Sequence, residues 1–333
     1  MRHSPPLQRK PLANYRRSAR LLHVATILGV LAISLACTQP SREGTMPGSG
    51  ENVNAGKSLD ENGVAKLFSS TPGVHFHLGK DNPNSAGNLQ IERKTSALRR
   101  TDGLLEYWNV AAHDLNYASG GSGKTSRLHI YAGAGRQAYT WKTQKGFLAT
   151  PSDIRNQEFT VFVRVHGIVD PQRAAITLKI RGGAHSANNP DLASCTMMTF
   201  QAASTGAVAR FGKELIHPIY DYVKLPPGFA AALVDNQWFG LKLLSYGMPD
   251  DSTRVVNRLY LDSEPFERQS SKPRNRWQLF AEYIDSAGLS TGRYSKLADW
   301  GGWQTTLRTD GVGSLDFTMI GLREIQPPKW QLN

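Results

Sequence analysis

Short strand-like runs recur along the chain from about residue 68 to residue 325, and this cadence limits the possible fold more than any other feature. Runs such as FTVFVRVHG, ITLKIRG, WFGLKLLSY and LDFTMIGLREI are separated by clusters of Gly, Pro, Asn and Asp. No long amphipathic helical pattern interrupts them. Many short strands without alternating helices are typical of antiparallel sandwiches. We therefore predict an all-β fold for residues 66–333, a two-sheet antiparallel jelly roll.

The first 36 residues have the pattern of an export signal. Six cations precede the apolar run LLHVATILGVLAISLA, and no acid accompanies them. With these flanks the run is too short to predict a membrane-spanning helix. Small residues, Ser34 and Ala36, precede Cys37, which favours a lipid anchor on Cys37; plain signal cleavage and a retained anchor are the alternatives. We expect a secreted or cell-envelope protein that reaches the membrane through Cys37.

A tether and a modest charge follow from the composition. Residues 37–65 are rich in Ser, Gly, Asn and Pro and predict a flexible linker. The whole chain has a net charge of +12, but six of those positives lie in the first 36 residues, so the remainder carries only +6. We therefore expect no nucleic-acid partner.

The chain has two cysteines, Cys37 and Cys195. If Cys37 carries lipid, Cys195 has no partner for an internal disulfide, so the hydrophobic core must supply the stability. Cys195 begins the apolar run CTMMTF, which predicts a buried, unreactive thiol.

Two neighbouring runs place cations at alternate positions. In residues 158–166, Val161, Val163 and Val165 alternate with Phe162, Arg164 and His166; in residues 175–181, Leu178 and Ile180 alternate with Lys179 and Arg181. The turn sequence DPQR lies between the runs and predicts an antiparallel hairpin. Arg164, His166, Lys179 and Arg181 would then share one basic face, suited to an extended anionic or polyhydroxylated ligand.

The second half of the chain resembles a known superfamily. The resemblance rests on WFGLK at 238–242, RLYLD at 258–262, Trp277, YID at 283–285 and the DF and REI segments at 316–317 and 323–325. Their order is similar to that in concanavalin A-like lectins and glucanases, including laminin G-like domains and jelly-roll polysaccharide lyases. The resemblance implies a two-sheet jelly roll whose concave sheet often binds glycans, and by itself implies no activity.

Candidate residues for catalysis follow from the chemistry of β-elimination. The paired-carboxylate pattern Glu-x-Asp-x-x-Glu of the glucanases is missing, which disfavours hydrolysis. Cleavage of a uronate polymer by elimination needs a carboxylate neutraliser, a base and an acid. Arg164-Val165-His166 resembles the Gln-x-His pair of jelly-roll alginate lyases. A lyase would use His166 or His185 as base, Arg164 or Arg181 as neutraliser, and Tyr220 or Tyr260 as acid.

Two other classes of function remain open. A non-catalytic glycan-binding module would use the same cations, with Lys179 and Lys242 as contacts and Phe162, Tyr246 and Tyr260 as groove aromatics. An envelope or adhesion protein would leave the sheet face solvated. We expect no catalytic metal and no cofactor, although oxygens of Asp153, Asn156 and Glu158 could hold a structural calcium. The sequence therefore predicts an acidic polysaccharide as partner and leaves catalysis undecided.

Overall fold

The computed structural model describes residues 58–78, 89–91, 97–117, 121–132, 154–182, 194–216, 219–286, 296–302 and 304–327. The predicted export signal, Cys37, Asp153 and His185 lie outside the described residues. Among the residues that are described, no helix has the length and apolar character needed to cross a membrane.

Within these ranges the chain forms two antiparallel sheets of eight strands each. The strands of the first sheet are β1 (Ser70–His77), β3 (Leu98–Asp102), β4 (Leu105–Ala111), β7 (Gln157–Ile168), β12 (Trp238–Met248), β13 (Asp251–Asp262), β14 (Gln278–Ser286) and β16 (Val312–Ile325). Their order is β14-β13-β12-β7-β16-β4-β3, and β1 pairs with the C-terminal half of β16.

The strands of the second sheet are β2 (Leu89–Ile91), β5 (His113–Tyr117), β6 (Gly121–Ala132), β8 (Ala175–Gly182), β9 (Cys195–Gln201), β10 (Ala209–Ile216), β11 (Ile219–Leu225) and β15 (Gln304–Asp310). Their order is β11-β10-β9-β8-β15-β6-β2, and β5 pairs with the first half of β6. The prediction of an all-β, two-sheet jelly roll is confirmed.

The main core lies between the two sheets. Val161, Val163 and Val165 of β7 belong to the same buried cluster as Leu178 and Ile180 of β8, and all five are at most 1% exposed. Because side chains alternate across a strand, this places the intervening residues on the outer face of each sheet. The predicted alternation of β7 is thereby confirmed.

The predicted hairpin between β7 and β8 is wrong. The DPQR turn does form, with the Arg173 amide donating to the Asp170 carbonyl at 3.0 Å, but β7 pairs with β12 and β16 while β8 pairs with β9 and β15. The two strands lie in different sheets. Each strand has one strongly apolar face, and stacking the sheets buries both faces against each other, which pairing in one sheet would not do.

Residues 58–69, the N-terminal strap, pack on the outer face of the first sheet. Val64 and Leu67 of the strap are buried, and Lys242 Nζ donates to the Ala65 carbonyl at 2.9 Å. With Phe162 and Trp277 they form a second buried cluster on that face. Residues 58–65 therefore belong to the folded domain, which corrects the predicted tether boundary at residue 65.

Candidate functional site

The outer face of the second sheet displays a row of six aligned side chains, one from each of six strands, and four of them are cations. The strand register aligns side chains that all point away from the core: Lys224, Arg210, Thr199, Thr177, Arg308 and Arg127. Adjacent strands lie about 4.8 Å apart, so this cation row is roughly 24 Å long. It runs perpendicular to the strands, as an extended ligand lying across the sheet would.

The next row on the same face brings together ionisable and aromatic groups. Its members are Tyr222, Gly212, Met197, Lys179, Thr306 and His129. Lys179 lies near the centre of this row. The two rows are neighbours on each strand, because their members are two residues apart.

Lys179, Glu214 and Tyr220 form a compact cluster, referred to below as the Lys179 cluster. Lys179 Nζ lies 2.5 Å from Glu214 Oε2 and 3.5 Å from the Tyr220 hydroxyl. The side chains of Lys179 and Glu214 are 5% and 0% exposed. The sequence predicted Lys179 as a ligand contact and Tyr220 as an acid, and the structure places them within reach of each other.

Burial and charge set the protonation states of this cluster. Burial disfavours the ammonium form of Lys179, but the neighbouring Cys195 and Glu214 outweigh it and raise the pKa of Lys179. Burial also raises the pKa of the Tyr220 phenol, an effect that Lys179 opposes. The Cys195 thiol, 3.5 Å from Glu214, has its pKa raised mainly by burial. At neutral pH the cluster therefore holds an ammonium, a phenol and an unreactive thiol.

Two parallel aromatic rings lie at one end of the cluster. Tyr220 and Tyr222 stack with centroids 5.9 Å apart and an interplanar angle of 13°. The Tyr222 ring lies over Gly212, where a Cβ atom would come within 2.7 Å of it. Arg308 Cζ is 5.9 Å from the Tyr220 ring centroid, and Arg308 also forms an ion pair with Asp310 at 2.6 Å.

Sequence reasoning missed the β15 and β6 side of this face. Gln304 Nε2 lies 2.9 Å from His129 Nδ1, and His129 Nδ1 lies 3.1 Å from the Thr306 hydroxyl. With Arg308 these residues continue the outer face beyond Lys179. The alternation in QTTLRTD, where Gln304, Thr306 and Arg308 occupy every second position, was the signal that could have found them.

Arg164 and His166 lie on the opposite side of the sandwich, on the outer face of the first sheet. Both contact Asp316 Oδ2, Arg164 through Nε at 2.9 Å and His166 through Nε2 at 2.6 Å. The Arg164 guanidinium also packs on the rings of Tyr107 and Trp238. Stacked sheets are about 10 Å apart, so these residues cannot converge with Lys179 on one substrate. The expectation of a single basic face is corrected.

The Arg181 side chain is buried at one end of the sandwich and does not lie beside Lys179 on the outer face. Its backbone has a φ of +60°, next to a register irregularity between β8 and β15, and this turns the side chain inward. The guanidinium is fully buried and donates to the Ser245 hydroxyl at 3.0 Å and to the Trp300 carbonyl at 2.7 Å. Burial lowers the pKa of Arg181 to about 10. Arg181 therefore holds the end of the sandwich together and does not face solvent.

Four further predicted residues are buried on the first sheet's outer side. Phe162, Lys242, Tyr246 and Tyr260 are at most 6% exposed and belong to or contact the cluster beneath the strap and Trp277. They pack with the strap and Trp277 on the sheet opposite the cation row, so they cannot contact a ligand bound along that row, which corrects their predicted contact roles.

Two of the residues predicted as possible calcium ligands, Asn156 and Glu158, have other partners in the structure. The Glu158 carboxylate contacts Lys242 at 2.7 Å and forms a short ion pair with Arg323, and Asn156 Oδ1 accepts from the Gly247 amide. Glu158 therefore already has two cationic partners. Within the described ranges no group of three or more His, Cys, Asp or Glu side chains is arranged to hold a metal.

Comparisons with known proteins give likeness at the level of the fold. No protein-family model matches the chain, and no curated protein matches it. Among solved structures, the chain is similar to an endo-β-1,4-glucuronan lyase from the fungus Trichoderma reesei, with 11% identity, a TM-score of 0.42 and coverage of 76% of this chain and 96% of that one.

Two other solved structures are similar in the same way. Lectin II from Ulex europaeus has 10% identity, a TM-score of 0.37 and coverage of 76% and 99%, and the alginate lyase Aly36B has 11% identity, a TM-score of 0.28 and coverage of 70% and 88%. At this level of similarity they carry no argument about activity.

Proposed function

We propose that the protein binds an acidic polysaccharide across the outer face of the second sheet and cleaves it by β-elimination at the Lys179 cluster. The observation that supports this proposal most is the 3.5 Å approach of the Lys179 ammonium to the Tyr220 hydroxyl on a face lined with cations. Elimination from a uronate requires a carboxylate neutraliser, a base and an acid, and one phenol can act first as the base and then as the acid.

The cation row supports the choice of an anionic polymer. Lys224 and Arg210 lie at one end of the row, Arg308 and Arg127 at the other, and two threonines occupy the middle. Arginine binds planar carboxylates through two hydrogen bonds. The Thr177 and Thr199 hydroxyls lie 3.1 Å apart, and these residues are 6% and 5% exposed, so the cations at the two ends supply the contacts. A chain of uronates lying across the strands would meet charge at both ends.

The elimination step assigns one role to each member of the cluster. Lys179 neutralises the uronate carboxylate, which acidifies the adjacent C5 proton. Tyr220, as phenolate, removes that proton, and the C5–H electron pair forms the C4–C5 double bond as the bond from C4 to the glycosidic oxygen breaks. The proton then passes from Tyr220 to the leaving oxygen, so the phenolate is restored. Glu214 fixes the position of the ammonium.

This mechanism predicts an alkaline profile. The phenolate is the reactive form, and the pKa of Tyr220 lies above its ordinary value of 10.0. The rate should therefore rise with pH from neutrality to beyond pH 10. Lys179 remains an ammonium over this range because its pKa is also raised. A profile that falls over this range would contradict Tyr220 as the base.

One observation favours a binding module as the second candidate. At neutral pH both Lys179 and Tyr220 are protonated, so neither can serve as the base there. In that case the cation row and the stacked Tyr220 and Tyr222 rings would hold a glycan without cleaving it.

The function is tested by incubating the purified protein with a panel of uronate polymers and neutral glycans. Retention of each glycan is measured, and cleavage is detected by the ultraviolet absorbance of the unsaturated ends that elimination produces. Tyr220→Phe should lower turnover by about 10²- to 10⁴-fold with little change in affinity, as expected for a proton-transfer group. Tyr222→Phe is the matched control, because it keeps the stacked ring and lies outside the hydrogen bond to Lys179.

Two outcomes change the proposal. Retention of acidic polymers without new unsaturated ends at any pH would favour the binding module. Neither retention nor cleavage with any glycan would favour a non-glycan envelope protein.

We propose further that the protein acts outside the cytoplasm, anchored by lipid on Cys37 after removal of residues 1–36. The support is the charge and hydropathy pattern of that segment. Cys37→Ser should release the protein from the membrane fraction or block its maturation. An unchanged membrane fraction with an uncleaved leader would contradict the proposal.

A further inference from the structure

A histidine and a serine face each other on the outer face of the first sheet, on the side of the sandwich opposite the cation row. His166 of β7 and Ser314 of β16 are direct partners in the strand register, and both are half-buried. Directly opposed residues on two antiparallel strands have Cβ atoms about 4.5–5.5 Å apart. At that separation a serine hydroxyl can reach a ring nitrogen of the histidine by rotation about its χ1 angle.

The Asp316 carboxylate orients the His166 ring. Asp316 lies two positions after Ser314, so their side chains share one face of β16, and Leu315 between them is buried in the core. Asp316 Oδ2 lies 2.6 Å from His166 Nε2. A carboxylate accepts hydrogen bonds and does not donate them, so Nε2 carries the ring proton. In the neutral ring the lone pair is therefore on Nδ1.

Two neighbouring strands hold the Asp316 carboxylate in place. Its side chain is 1% exposed, Oδ1 accepts from Asn109 Nδ2 at 2.6 Å, and Oδ2 also accepts from Arg164 Nε at 2.9 Å. Asn109 belongs to β4 and Arg164 to β7, the two strands that flank this part of β16. Side chains that act in catalysis need such support, because their geometry has to be fixed before the substrate binds.

We propose that Ser314, His166 and Asp316 form a catalytic triad that hydrolyses carboxylic esters of small acyl groups. A hydroxyl beside a histidine that is itself oriented by a buried carboxylate defines such a triad, which recurs on unrelated folds and in different chain orders. The His166 side chain is 36% exposed, so a substrate reaches the ring from solvent, and the half-burial of both residues favours a small acyl group. The inference does not rest on the proposed glycan cleavage, because Lys179 lies on the other sheet.

The reaction proceeds in two steps through an acyl-serine. Ser314 Oγ attacks the carbonyl carbon of the ester while His166 Nδ1 takes the hydroxyl proton. The bond between the acyl carbon and the alcohol oxygen then breaks, and His166 gives the proton to that oxygen. Water attacks the acyl-serine in the same way, with His166 again taking and returning one proton, so that the carboxylic acid leaves and the Ser314 hydroxyl is restored. Asp316 keeps its contact with Nε2 and stabilises the imidazolium formed in each step.

The first test treats the full-length protein with a fluorophosphonate, which bonds covalently to activated serines, and separately measures hydrolysis of p-nitrophenyl acetate. Mass spectrometry should locate the phosphonate on Ser314. Ser314→Ala should abolish that label and lower the rate of ester hydrolysis above background by about 10²-fold or more, and His166→Gln should do the same because it removes the base. Ser70→Ala is the matched control, because Ser70 is likewise half-buried on the first sheet but has Ile325 as its strand partner.

The second test reads the orientation of the histidine directly. Nitrogen chemical shifts of the neutral His166 ring, measured by nuclear magnetic resonance on isotope-labelled protein, should show the proton on Nε2. In Asp316→Asn the side-chain amide can donate to Nε2, so the ring proton should move to Nδ1 and the phosphonate should no longer label Ser314. The proposal is overturned if the phosphonate leaves Ser314 unmodified, if Ser314→Ala and Ser70→Ala hydrolyse the ester equally fast, or if the neutral His166 ring of the unaltered protein carries its proton on Nδ1.

Discussion

Replacing Glu158 by Gln should destabilise the protein strongly, because Glu158 is the shared partner of two buried cations. Its carboxylate contacts Lys242 Nζ at 2.7 Å, forms a short ion pair with Arg323 and accepts from the Leu67 amide at 3.3 Å. The side chains of Lys242 and Arg323 are only 1% and 4% exposed. Glutamine keeps the shape but removes the charge, so both cations lose their counter-ion inside the protein.

The magnitude follows from the burial of all three groups. Removing one partner of a buried ion pair costs about 3–5 kcal/mol, whereas exposed pairs contribute about 0–1 kcal/mol. A cost of that size would lower the melting temperature by roughly 6–20 °C for a domain of this length. Glu264→Gln is the matched control, because Glu264 also contacts two arginines, Arg274 and Arg276, but is 65% exposed.

The assay is urea unfolding followed by tryptophan fluorescence, with thermal unfolding as a second measurement. If the free energies of unfolding of Glu158→Gln and Glu264→Gln differ by less than about 1 kcal/mol, the stated cost of the unpaired buried cations is refuted. Glu158→Met combined with Lys242→Met should recover part of the loss, since an apolar replacement removes the unpaired charge of Lys242.

The same residue gives the protein a defined acid sensitivity. Burial acts to raise the pKa of Glu158, but Lys242 and Arg323 outweigh it, and the pKa in the folded state lies below the ordinary value of 4.5. The unfolded chain therefore binds the proton first as the pH falls. The stabilisation is complete above about pH 4.5 and is lost as the pH falls through the folded-state pKa. The Glu158→Gln variant should lack this part of the acid dependence.

Three further predictions concern the core and the proposed glycan face. Leu178→Ala should lower the free energy of unfolding, measured with urea, by about 2–5 kcal/mol. Leu104→Ala, at an exposed hairpin tip, should change it by no more than about 0.5 kcal/mol. Equal changes in the two variants would contradict the register of β8. Gly212→Val should displace the Tyr222 ring, since its Cβ would lie 2.7 Å from that ring, and should weaken glycan retention on an affinity column; unchanged retention would exclude Tyr222 as a contact. Arg308→Gln should weaken acidic-polymer binding and reduce its salt dependence, whereas Arg254→Gln on the other sheet should change neither; the same loss in both would exclude the cation row as the binding surface.

Local patterns were enough to predict the class of fold. The alternation of Val161, Val163 and Val165 with polar neighbours set the strand and its buried face, because side-chain direction in a strand depends only on position. The turn after Ile168 could also be predicted from neighbouring residues. The pairing partners of β7 and β8 could not, because each strand has an apolar face, and both pairing in one sheet and stacking in two sheets satisfy the pattern.

The candidate site could be predicted only in fragments. Lys179 and Tyr220 were both selected from the sequence, but their 3.5 Å contact spans 41 positions and depends on β9 and β10 lying between them. Lys242 was predicted as a ligand contact, and charged side chains are seldom fully buried unless they are paired. It is buried because the strap folds back over it and Glu158 supplies the opposite charge.

The order of residues is sufficient to predict that this chain forms short strands with one apolar face each, and that the part after residue 36 is mildly basic. Which outer face each cation occupies depends on how the strands pair in the folded protein. Arg164 and Lys179 are equivalent in the sequence pattern, yet they lie on opposite sides of the sandwich because consecutive strands joined different sheets. Alternation specifies a side of a strand, whereas the side of the molecule is fixed by strand pairing between residues far apart in the chain.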